Sequence, residues 1–379
     1  MAASADACWL GLRRVHGVGP RVYRLLLERF GTPQEVFARS EEELAAVGVP
    51  RATARNIRAF RDFDAVEREL CELPRLGARL VRWTDADYPI NLREIADPPP
   101  YFFLRGSIAH DDPRCVAVVG ARTGSEAGLR MAHRLGMELA GRGFTVVSGL
   151  ARGIDGAAHQ GALEGGGRTV AILGCGIDTV YPPEHRKLAD ALLERHGALI
   201  SELPVGTPPL AENFPARNRI LAGLCLGVVI VEAAERSGSL ITARMALEQN
   251  RQVFAVPGSP LTGKTRGSNR LLKQGAVLVE CVEDVIEELS PQLGKFAPAP
   301  RPLPALGANA KETADSNETA PEAAQARAIL ERLSKDEKTH IDAVIEGCGL
   351  NPQTVLRLLL ELELNGVVAQ HPGKLFSLR

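Results

Sequence analysis

Three glycine-bearing turns combine the groups that bind an anionic oxygen. The apolar run CVAVV is followed by Gly120, Ala121 and Arg122, and the run TVV by Ser148, Gly149 and Arg152. The run VVIVE is followed by a helical pattern that begins near Arg236, Ser237, Gly238 and Ser239. Glycine lets a ligand approach the main chain, a helix start supplies N–H donors, and arginine pairs with phosphate. With Ser125 as the expected N-cap after the first turn, these turns predict anion binding.

A fourth stretch, NFPARNRI, adds an aromatic ring to basic side chains. It holds Phe214, Arg217, Asn218 and Arg219 within six positions at a predicted helix start. Arginines can hold a phosphodiester backbone while an exposed ring stacks on a base. The alternative is that Phe214 anchors its helix in the core and the arginines are only solvated. The first interpretation predicts a single-stranded nucleic acid as ligand.

The stretch from 258 to 265 has the spelling of a P-loop, GxxxxGK[ST]. A working P-loop needs a helix that begins at the Lys–Thr pair, so that N–H groups converge on the phosphates. Here the following helix is predicted to begin later, with Ser268 or Asn269 as its cap, and no apolar strand ends in an Asp for magnesium. We therefore interpret the spelling as accidental. We expect a basic, capped turn instead, formed by Lys264, Arg266, Ser268, Asn269 and Arg270, that can contribute to holding a nucleic-acid backbone.

Catalysis is the competing hypothesis. Asp155 and His159 are one helical turn apart, and Glu202 and Glu232 end apolar runs. Such pairs could serve as general acid and base in a nucleotide hydrolase, for example a phosphoribohydrolase. Against this, a carboxylate at 155 suits the first turn of a helix, and His159 falls on a face with Ala158 that should pack. The sequence thus favours a binding protein with no catalytic residue.

Bulk composition narrows the classes further. The chain has 379 residues, a formal net charge of -1, and 45% hydrophobic residues. Any nucleic-acid binding must therefore come from a local basic cluster. Seven scattered cysteines without a CxxC predict neither disulfides nor a metal site, and no GxGxxG fingerprint predicts a nicotinamide cofactor. No signal peptide or membrane-spanning run is evident, so we expect a soluble, cytoplasmic protein without a bound cofactor.

The elements that must position these groups fall into five segments. Seven short apolar runs alternate with helical stretches over 114–290, which predicts an α/β domain with a doubly wound, Rossmann-like parallel sheet and ligands at the carboxyl ends of its strands. Residues 1–72 resemble a helical helix-hairpin-helix domain, with hairpins at Gly17-Val18-Gly19-Pro20 and Gly48-Val49-Pro50. A connector spans 73–113 and carries the strand-like run RLVRW and the run Pro98-Pro99-Pro100, which fits extended chain at a domain boundary. A Pro- and Ala-rich linker spans 291–321.

The tail, 322–379, predicts three helices and a β-hairpin, which together form a winged helix. Its third helix would begin at the N-cap Asn351 and serve as the recognition helix. That helix carries Arg357 but also Glu361 and Glu363. Because groove-reading helices are normally basic, we expect this domain to dock on protein rather than to read duplex DNA.

The central motifs resemble those of the DprA/Smf DNA-processing family, both in their order and in their amino-acid sequences. The resemblance covers about 88–289 and includes VAVVGARTGSEAG, SGLARGIDGAAHQGAL, TVAILGCGIDTVYPPEHRKL, NFPARNRI and GSNRLLKQGA. It implies a protein that binds single-stranded DNA, forms a homodimer through the Rossmann-like domain and loads the recombinase RecA during natural transformation. The family's DNA-contacting positions fall on Gly120 to Arg122, where Ala121 replaces the usual hydroxyl residue, and on Phe214 to Arg219.

Overall fold

A computed structural model describes residues 3–108 and 114–293 and, in the tail, 328–330, 332–334, 339–348, 354–355, 358–359, 362, 368–371 and 375–378. The chain forms two compact units, Met1–Arg301 and Pro302–Arg379. Within the described ranges, no helix is both long and apolar enough to span a bilayer.

The chain begins with six short helices. They are α1 (Ala5–Arg14), α2 (Pro20–Phe30), α3 (Pro33–Ala38), α4 (Glu41–Ala46), α5 (Arg51–Ala59) and α6 (Phe63–Glu72). Gly17, between α1 and α2, has φ +92°, and Gly48, between α4 and α5, has φ +95°, a conformation that favours glycine. The Ser40 hydroxyl and the Glu43 carboxylate form a capping box at α4. Both predicted hairpins are therefore present.

The central sheet has nine strands. Their bounds are β1 (Ala78–Arg82), β2 (Tyr101–Gly106), β3 (Cys115–Val119), β4 (Thr145–Ser148), β5 (Thr169–Ile172), β6 (Ala198–Ser201), β7 (Gly227–Ile230), β8 (Gln252–Ala255) and β9 (Val277–Leu278). The spatial order is β1-β2-β6-β5-β4-β3-β7-β8-β9. Strands β3 to β9 pair in parallel, as the alternating apolar runs predicted.

The strand-like run RLVRW of the connector, 73–113, overlaps β1, as predicted, and the connector also contains β2, which was not predicted. Its strands β1 and β2 form an antiparallel pair, and β2 pairs antiparallel with β6. The sheet is therefore mixed rather than purely parallel. Four consecutive residues of β2, Tyr101 to Leu104, are buried, so this strand has apolar contacts on both faces. That burial explains why it joins the sheet.

Helices cover both faces of the sheet. They are α7 (Ile90–Arg93), α8 (Glu126–Gly141), α9 (Ile154–Glu164), α10 (Arg186–Glu194), α11 (Asn213–Leu224), α12 (Gly238–Glu248), α13 (Arg266–Lys273) and α14 (Val282–Leu293). One core holds Leu221 of α11 and Ala243 of α12, and another holds Leu135 of α8, Ala158 of α9 and Val282 of α14. The chain order reverses at β3, whose neighbours are β4 and β7, and such a switch point creates a crevice at the strand ends.

The N-terminal helices share a core with one end of the sheet. Trp9 and Leu26 belong to the same buried cluster as Ala171 of β5 and Leu199 of β6. Glu69 of α6 forms an ion pair with Arg14 and accepts a hydrogen bond of 2.7 Å from the Val205 main-chain N–H. Desolvation by burial raises the pKa of this carboxyl group, against the opposing effect of Arg14.

The C-terminal unit contains α15 (Ile341–Cys348) and strands β10 (Thr339–His340), β11 (Val368–His371) and β12 (Leu375–Leu378) in the order β10-β12-β11. Its buried cluster includes Ile329, Val344 and Phe376. The helix and hairpin lie where the sequence predicted them. Asn351, Arg357, Glu361, Glu363 and the linker beyond 293 lie outside the described residues, so the predicted recognition helix and its charges stay predictions.

Candidate nucleic-acid interface

A cleft of about 390 Å³ opens at the switch point, where β3 and β7 end. Open α/β sheets bind ligands at this position. Its lining comes from the turn after β3, from the start of α9, from α11 and from the start of α12. The residues with polar, aromatic or glycine character are Gly120, Arg122, Asp155, Phe214, Arg217, Asn218, Ser237, Gly238, Ser239 and Thr242. The structure therefore brings together at one place predicted residues of the first turn, the third turn and NFPARNRI. The second turn contributes Ala151 and Asp155 rather than the predicted Ser148, Gly149 and Arg152.

The helix start after the first turn already holds a protein carboxylate. Ser125 caps α8, as predicted, and its hydroxyl accepts from the Gly128 N–H at 3.1 Å. Glu232, which follows β7 and is buried, accepts hydrogen bonds from the Ser125 main-chain N–H (3.2 Å) and from its hydroxyl. Gly120 has no room for a side chain, because a Cβ there would lie 2.7 Å from Ile154. An anion at the N-terminus of α8 would have to displace Glu232.

A carboxylate likewise fills the second turn. Asp155, in the first turn of α9, is buried and accepts from the main-chain N–H groups of Gly149 (3.1 Å) and Ala151 (3.4 Å). Desolvation raises the pKa of Asp155, while nearby Arg217 and the N–H donors oppose that shift. Ser148 is fully buried and donates to the Val118 carbonyl at 2.7 Å. The predicted ligand contacts of Ser148 and Gly149 are thus directed into the protein.

The third turn is open to the cleft. Ser237 caps α12, its hydroxyl accepts from the Ser239 N–H at 3.4 Å, and the two hydroxyl oxygens are 2.7 Å apart. A Cβ placed on Gly238 would have no heavy atom within 4 Å. In the part of the chain that the structure describes, no carboxylate bonds to this helix start. Of the three helix N-termini, α12 is therefore the one at which no carboxylate of the described residues blocks the approach of a ligand.

Arg122 and Phe214 stand together at the cleft wall. The Arg122 guanidinium carbon lies 5.2 Å from the Phe214 ring centroid, within cation–π range. Arg122 is exposed and has no acidic partner among the residues described. Phe214 is half-buried and packs so closely on Gly174 that a Cβ there would lie 2.9 Å from the ring. The ring is therefore held in place with part of its surface accessible.

Arg217 and Arg219 are structural rather than solvated. Arg217 is buried and donates to the main-chain carbonyls of Gly149 (3.0 Å) and Ile172, at the ends of β4 and β5. Burial lowers its pKa to about 10, so the side chain stays charged at neutral pH. Arg219 donates to the Asp97 carbonyl at 2.6 Å and pairs with Glu202 at 2.5 Å. Both side chains therefore hold protein groups and are not simply solvated cations, and a contact of either with DNA stays a prediction.

Three further predicted site residues, Asn218, Arg152 and Ala121, lie near the cleft and have protein partners. Asn218 lines the cleft, and its side-chain oxygen accepts from Arg217 Nε at 3.1 Å. Arg152 is exposed and forms an ion pair with Glu184. Ala121 places its carbonyl against α9, where it accepts from the Ile154 N–H at 3.2 Å.

The P-loop-like stretch is placed beside the first turn. Lys264 donates to the Thr123 carbonyl at 3.0 Å, and Arg266 and Arg270 are exposed. The predicted cap at Ser268 or Asn269 is wrong, because α13 begins at Arg266 with Thr265 as N-cap. Ser268 is buried, and the Asn269 side chain bonds both main-chain groups of Gly258.

The early start of α13 does not create a phosphate cradle. Its N–H groups at Gly267 (2.8 Å) and Ser268 (3.3 Å) both bond the Ala233 carbonyl. The Thr265 hydroxyl is also occupied, since it donates to the Ser259 carbonyl at 2.6 Å. The donors that a P-loop would turn toward a phosphate are directed instead to protein oxygens.

The candidate acid–base residues have structural partners. His159 is fully buried with its Nδ1 2.6 Å from the Thr169 hydroxyl, and desolvation lowers its pKa to about 3. Glu202 pairs with Arg219, and Glu232 bonds Ser125. Asp155 lines the cleft but is held by main-chain N–H groups. The expected packing of His159 and the helix-start position of Asp155 are both confirmed.

Tyr181 is a site residue that the sequence reasoning missed. Its ring is 37% exposed and its centroid lies 5.9 Å from that of Phe214. In a chain with only 4% aromatic residues, the tyrosine in TVYPPEH was itself a usable signal. Thr242, one turn into α12, is a second lining residue that was not singled out for the site.

A Rossmann-like sheet with a cleft at its switch point, in a chain that also carries a helix-hairpin-helix segment and a winged-helix segment, defines the class of protein. Comparison with protein families agrees: the model described as DNA recombination-mediator protein A matches residues 79–290, the DprA winged helix matches 297–374, and a SAM-like helix-hairpin-helix tandem matches 10–62. The chain belongs to the DNA recombination-mediator protein A family, also called DprA or Smf.

Individual relatives support this assignment. Protein Smf of Escherichia coli is 42% identical over 332 residues, which covers 86% of this chain and 85% of that protein. DNA processing protein DprA of Streptococcus pneumoniae is 45% identical over 204 residues, 54% of this chain and 72% of that one.

Solved structures give the same result. The X-ray structure of S. pneumoniae DprA has a TM-score of 0.67 at 34% identity, covering 76% of this chain and 99% of that chain. DNA processing protein A of Helicobacter pylori, whose structure is described for its single-stranded DNA binding mode, has a TM-score of 0.51 at 28% identity, covering 57% of this chain and 96% of that one.

Proposed function

We propose that this protein binds single-stranded DNA in the cleft between Arg122, Phe214 and the start of α12. A phosphate would accept from the Arg122 guanidinium and from the α12 helix start at Gly238, and a base would stack on the exposed part of Phe214. The observation that carries the proposal is the pairing of an exposed guanidinium with an aromatic ring, 5.2 Å apart, beside a helix N-terminus with open space at Gly238.

The charge distribution supports a local polyanion site. The whole chain has a net charge of -1, but Arg122, Lys264, Arg266 and Arg270 are exposed basic residues. Lys264 bonds the carbonyl next to Arg122, at Thr123, so the loop after β8 and the turn after β3 are joined. A DNA backbone leaving the cleft over this turn would meet these cations. The single-stranded DNA binding mode described for the H. pylori relative supports the same ligand class.

Beyond binding, we propose that the protein protects incoming strands and loads RecA onto them during natural transformation, as a cytoplasmic homodimer without a cofactor. Family membership supports this role. The absence of catalytic turnover is part of the proposal, because the four candidate acid–base side chains, Asp155, His159, Glu202 and Glu232, all bond to protein groups. We also propose that the winged helix docks on protein.

The test is a fluorescence titration of full-length protein with single- and double-stranded oligonucleotides over a range of salt concentrations, beside turnover assays with ATP and nucleoside monophosphates. We expect preferential, salt-dependent binding of single strands at every sequence, and no turnover. Turnover that is lost on substitution of Asp155 or Glu232 would instead establish the hydrolase hypothesis. A Phe214→Leu variant, which keeps the apolar volume but removes the ring, tests the stacking role.

A further inference from the structure

A small recess adjoins the cleft and shares Arg122, Ala151 and Phe214 with it. It has a volume of about 40 Å³ and is lined by Arg122, Ala151, Arg152, Tyr181, Pro182 and Phe214. Two arginines and two aromatic rings thus surround one space next to the proposed stacking residue. This is the combination of backbone cation and base platform that single-strand binding requires.

The two rings cannot stack on the same base. Their planes are inclined by 53° with the centroids 5.9 Å apart, so a planar base parallel to one ring is steeply tilted to the other. Stacking needs near-parallel planes in an offset arrangement. Each ring therefore suits its own base, and Tyr181 has 37% of its surface accessible for that purpose.

The second cationic side chain of this recess, Arg152, is already paired with a carboxylate. Arg152 pairs with Glu184 across the rim, and both side chains are largely exposed, 60% and 48%. Exposed ion pairs contribute little net free energy, because water competes and two long side chains must be ordered. A phosphate in the recess can therefore displace Glu184 from Arg152 at little cost.

We propose that the recess is a second nucleotide subsite, in which Tyr181 stacks the base next to the one on Phe214 and Arg152 exchanges Glu184 for its phosphate. The inference rests on the proposed single-strand binding and extends it by one nucleotide. It also gives Glu184 a defined role as a carboxylate that competes with DNA for Arg152.

The first experiment compares Tyr181→Ala and Tyr181→Phe in titrations with an oligothymidylate that contains one 2-aminopurine. We expect Tyr181→Ala to bind about 5- to 150-fold more weakly, the range that loss of one stacked base implies, while Tyr181→Phe binds like the parent. The parent should also quench 2-aminopurine at one oligonucleotide position more strongly than Tyr181→Ala does. Equal unfolding midpoints would show that the fold is intact.

The second experiment tests the carboxylate exchange. Glu184→Gln should bind about 2- to 5-fold more tightly than the parent, as release of an exposed ion pair implies. Combined with Arg152→Ala, the same substitution should have no effect. The matched control is Glu248→Gln, which removes a carboxylate of similar exposure that pairs with Arg244 on α12.

The outcomes separate the two proposals. If the parent and Phe214→Leu differ in affinity but Tyr181→Ala and Glu184→Gln bind like the parent, the second subsite is wrong and the cleft stands. If Glu184→Gln changes DNA affinity equally in the parent and in Arg152→Ala, the proposed exchange of Glu184 for a phosphate is wrong. If the parent binds no single-stranded DNA, both proposals fail together.

Discussion

The Arg217 guanidinium donates a hydrogen bond of 3.0 Å to the Gly149 main-chain carbonyl, which ties α11 to the end of β4. The same nitrogen reaches the Ile172 carbonyl at the end of β5, and Arg217 also lies beside the buried Asp155. Arg217 therefore closes the floor of the cleft. It supports Phe214 from the protein side, with its guanidinium carbon 5.8 Å from the ring centroid.

The bonds from Arg217 to the Gly149 and Ile172 carbonyls form a clamp, and removing this clamp should destabilise the fold. Arg217→Ala leaves the Asp155 carboxylate buried without its cation, and we expect the free energy of unfolding to fall by about 3–5 kcal/mol. Urea denaturation followed by circular dichroism measures this. Arg217→Lys, which keeps the charge but cannot reach both carbonyls, should lose less. An Arg217→Ala protein as stable as the parent would contradict the clamp.

The cleft floor also requires glycine at 149. A Cβ there would lie 2.5 Å from Arg217 Nη2 and 2.7 Å from Asp155 Oδ2. Gly149→Ala should therefore reduce the free energy of unfolding by about 1–3 kcal/mol, since the buried pair must shift. The control is Gly238→Ala, where a Cβ meets nothing within 4 Å. Similar unfolding midpoints for the two variants would mean that the packing around Gly149 is looser than described.

His159 should make stability depend on pH. Burial lowers its pKa from 6.5 to about 3, so below pH 6.5 the unfolded chain binds a proton that the folded chain does not. Stability is then present above pH 6.5 and is lost as the pH falls, by about 2 kcal/mol between pH 7 and pH 5. Urea titrations at both pH values measure the loss. His159→Gln should remove this part of the pH dependence; an unchanged difference between pH 7 and pH 5 would contradict the assignment.

The P-loop spelling should be without function. The first N–H groups of α13 are bonded to Ala233, so nothing converges on a phosphate near Lys264. We expect the protein to show no ATP turnover with magnesium, and Lys264→Ala to change DNA affinity only by the loss of one surface cation. Isothermal titration with ATP is the direct measurement. ATP hydrolysis that disappears in Lys264→Ala would overturn this interpretation.

The sequence predicted the parallel strands because apolar runs of four or five residues between helical stretches are typical of buried strands in a parallel sheet. It predicted the Ser125 cap because helix capping depends on residues close in sequence. The sequence did not reveal which polar groups bond to one another inside the protein. Glu232 lies 107 positions from Ser125, and Arg217 lies 68 positions from Gly149, so only the tertiary fold shows that these polar groups satisfy one another. For the same reason, the sequence predicted Ser148 and Ser268 as ligand contacts, although the structure shows that both are buried.

The start of α13 illustrates a second limit. Ser268 and Asn269 are strong capping residues, so local preference placed the helix start there. In the structure the Ala233 carbonyl accepts from Gly267 and Ser268, and this long-range contact supports an earlier start at Arg266. Tertiary hydrogen bonds thus override the local signal.

The most direct test of the central claim is the salt dependence of single-strand affinity in the parent and in Arg122→Ala. Because Arg122 is exposed and has no acidic partner among the described residues, its loss should weaken binding and reduce the slope of log affinity against log salt by about 0.7, the contribution of one phosphate contact. Arg244→Ala, which removes an exposed cation on α12 that is paired with Glu248, controls for net charge. An Arg122→Ala protein with the parent's affinity and slope would contradict the proposal that DNA binds in this cleft.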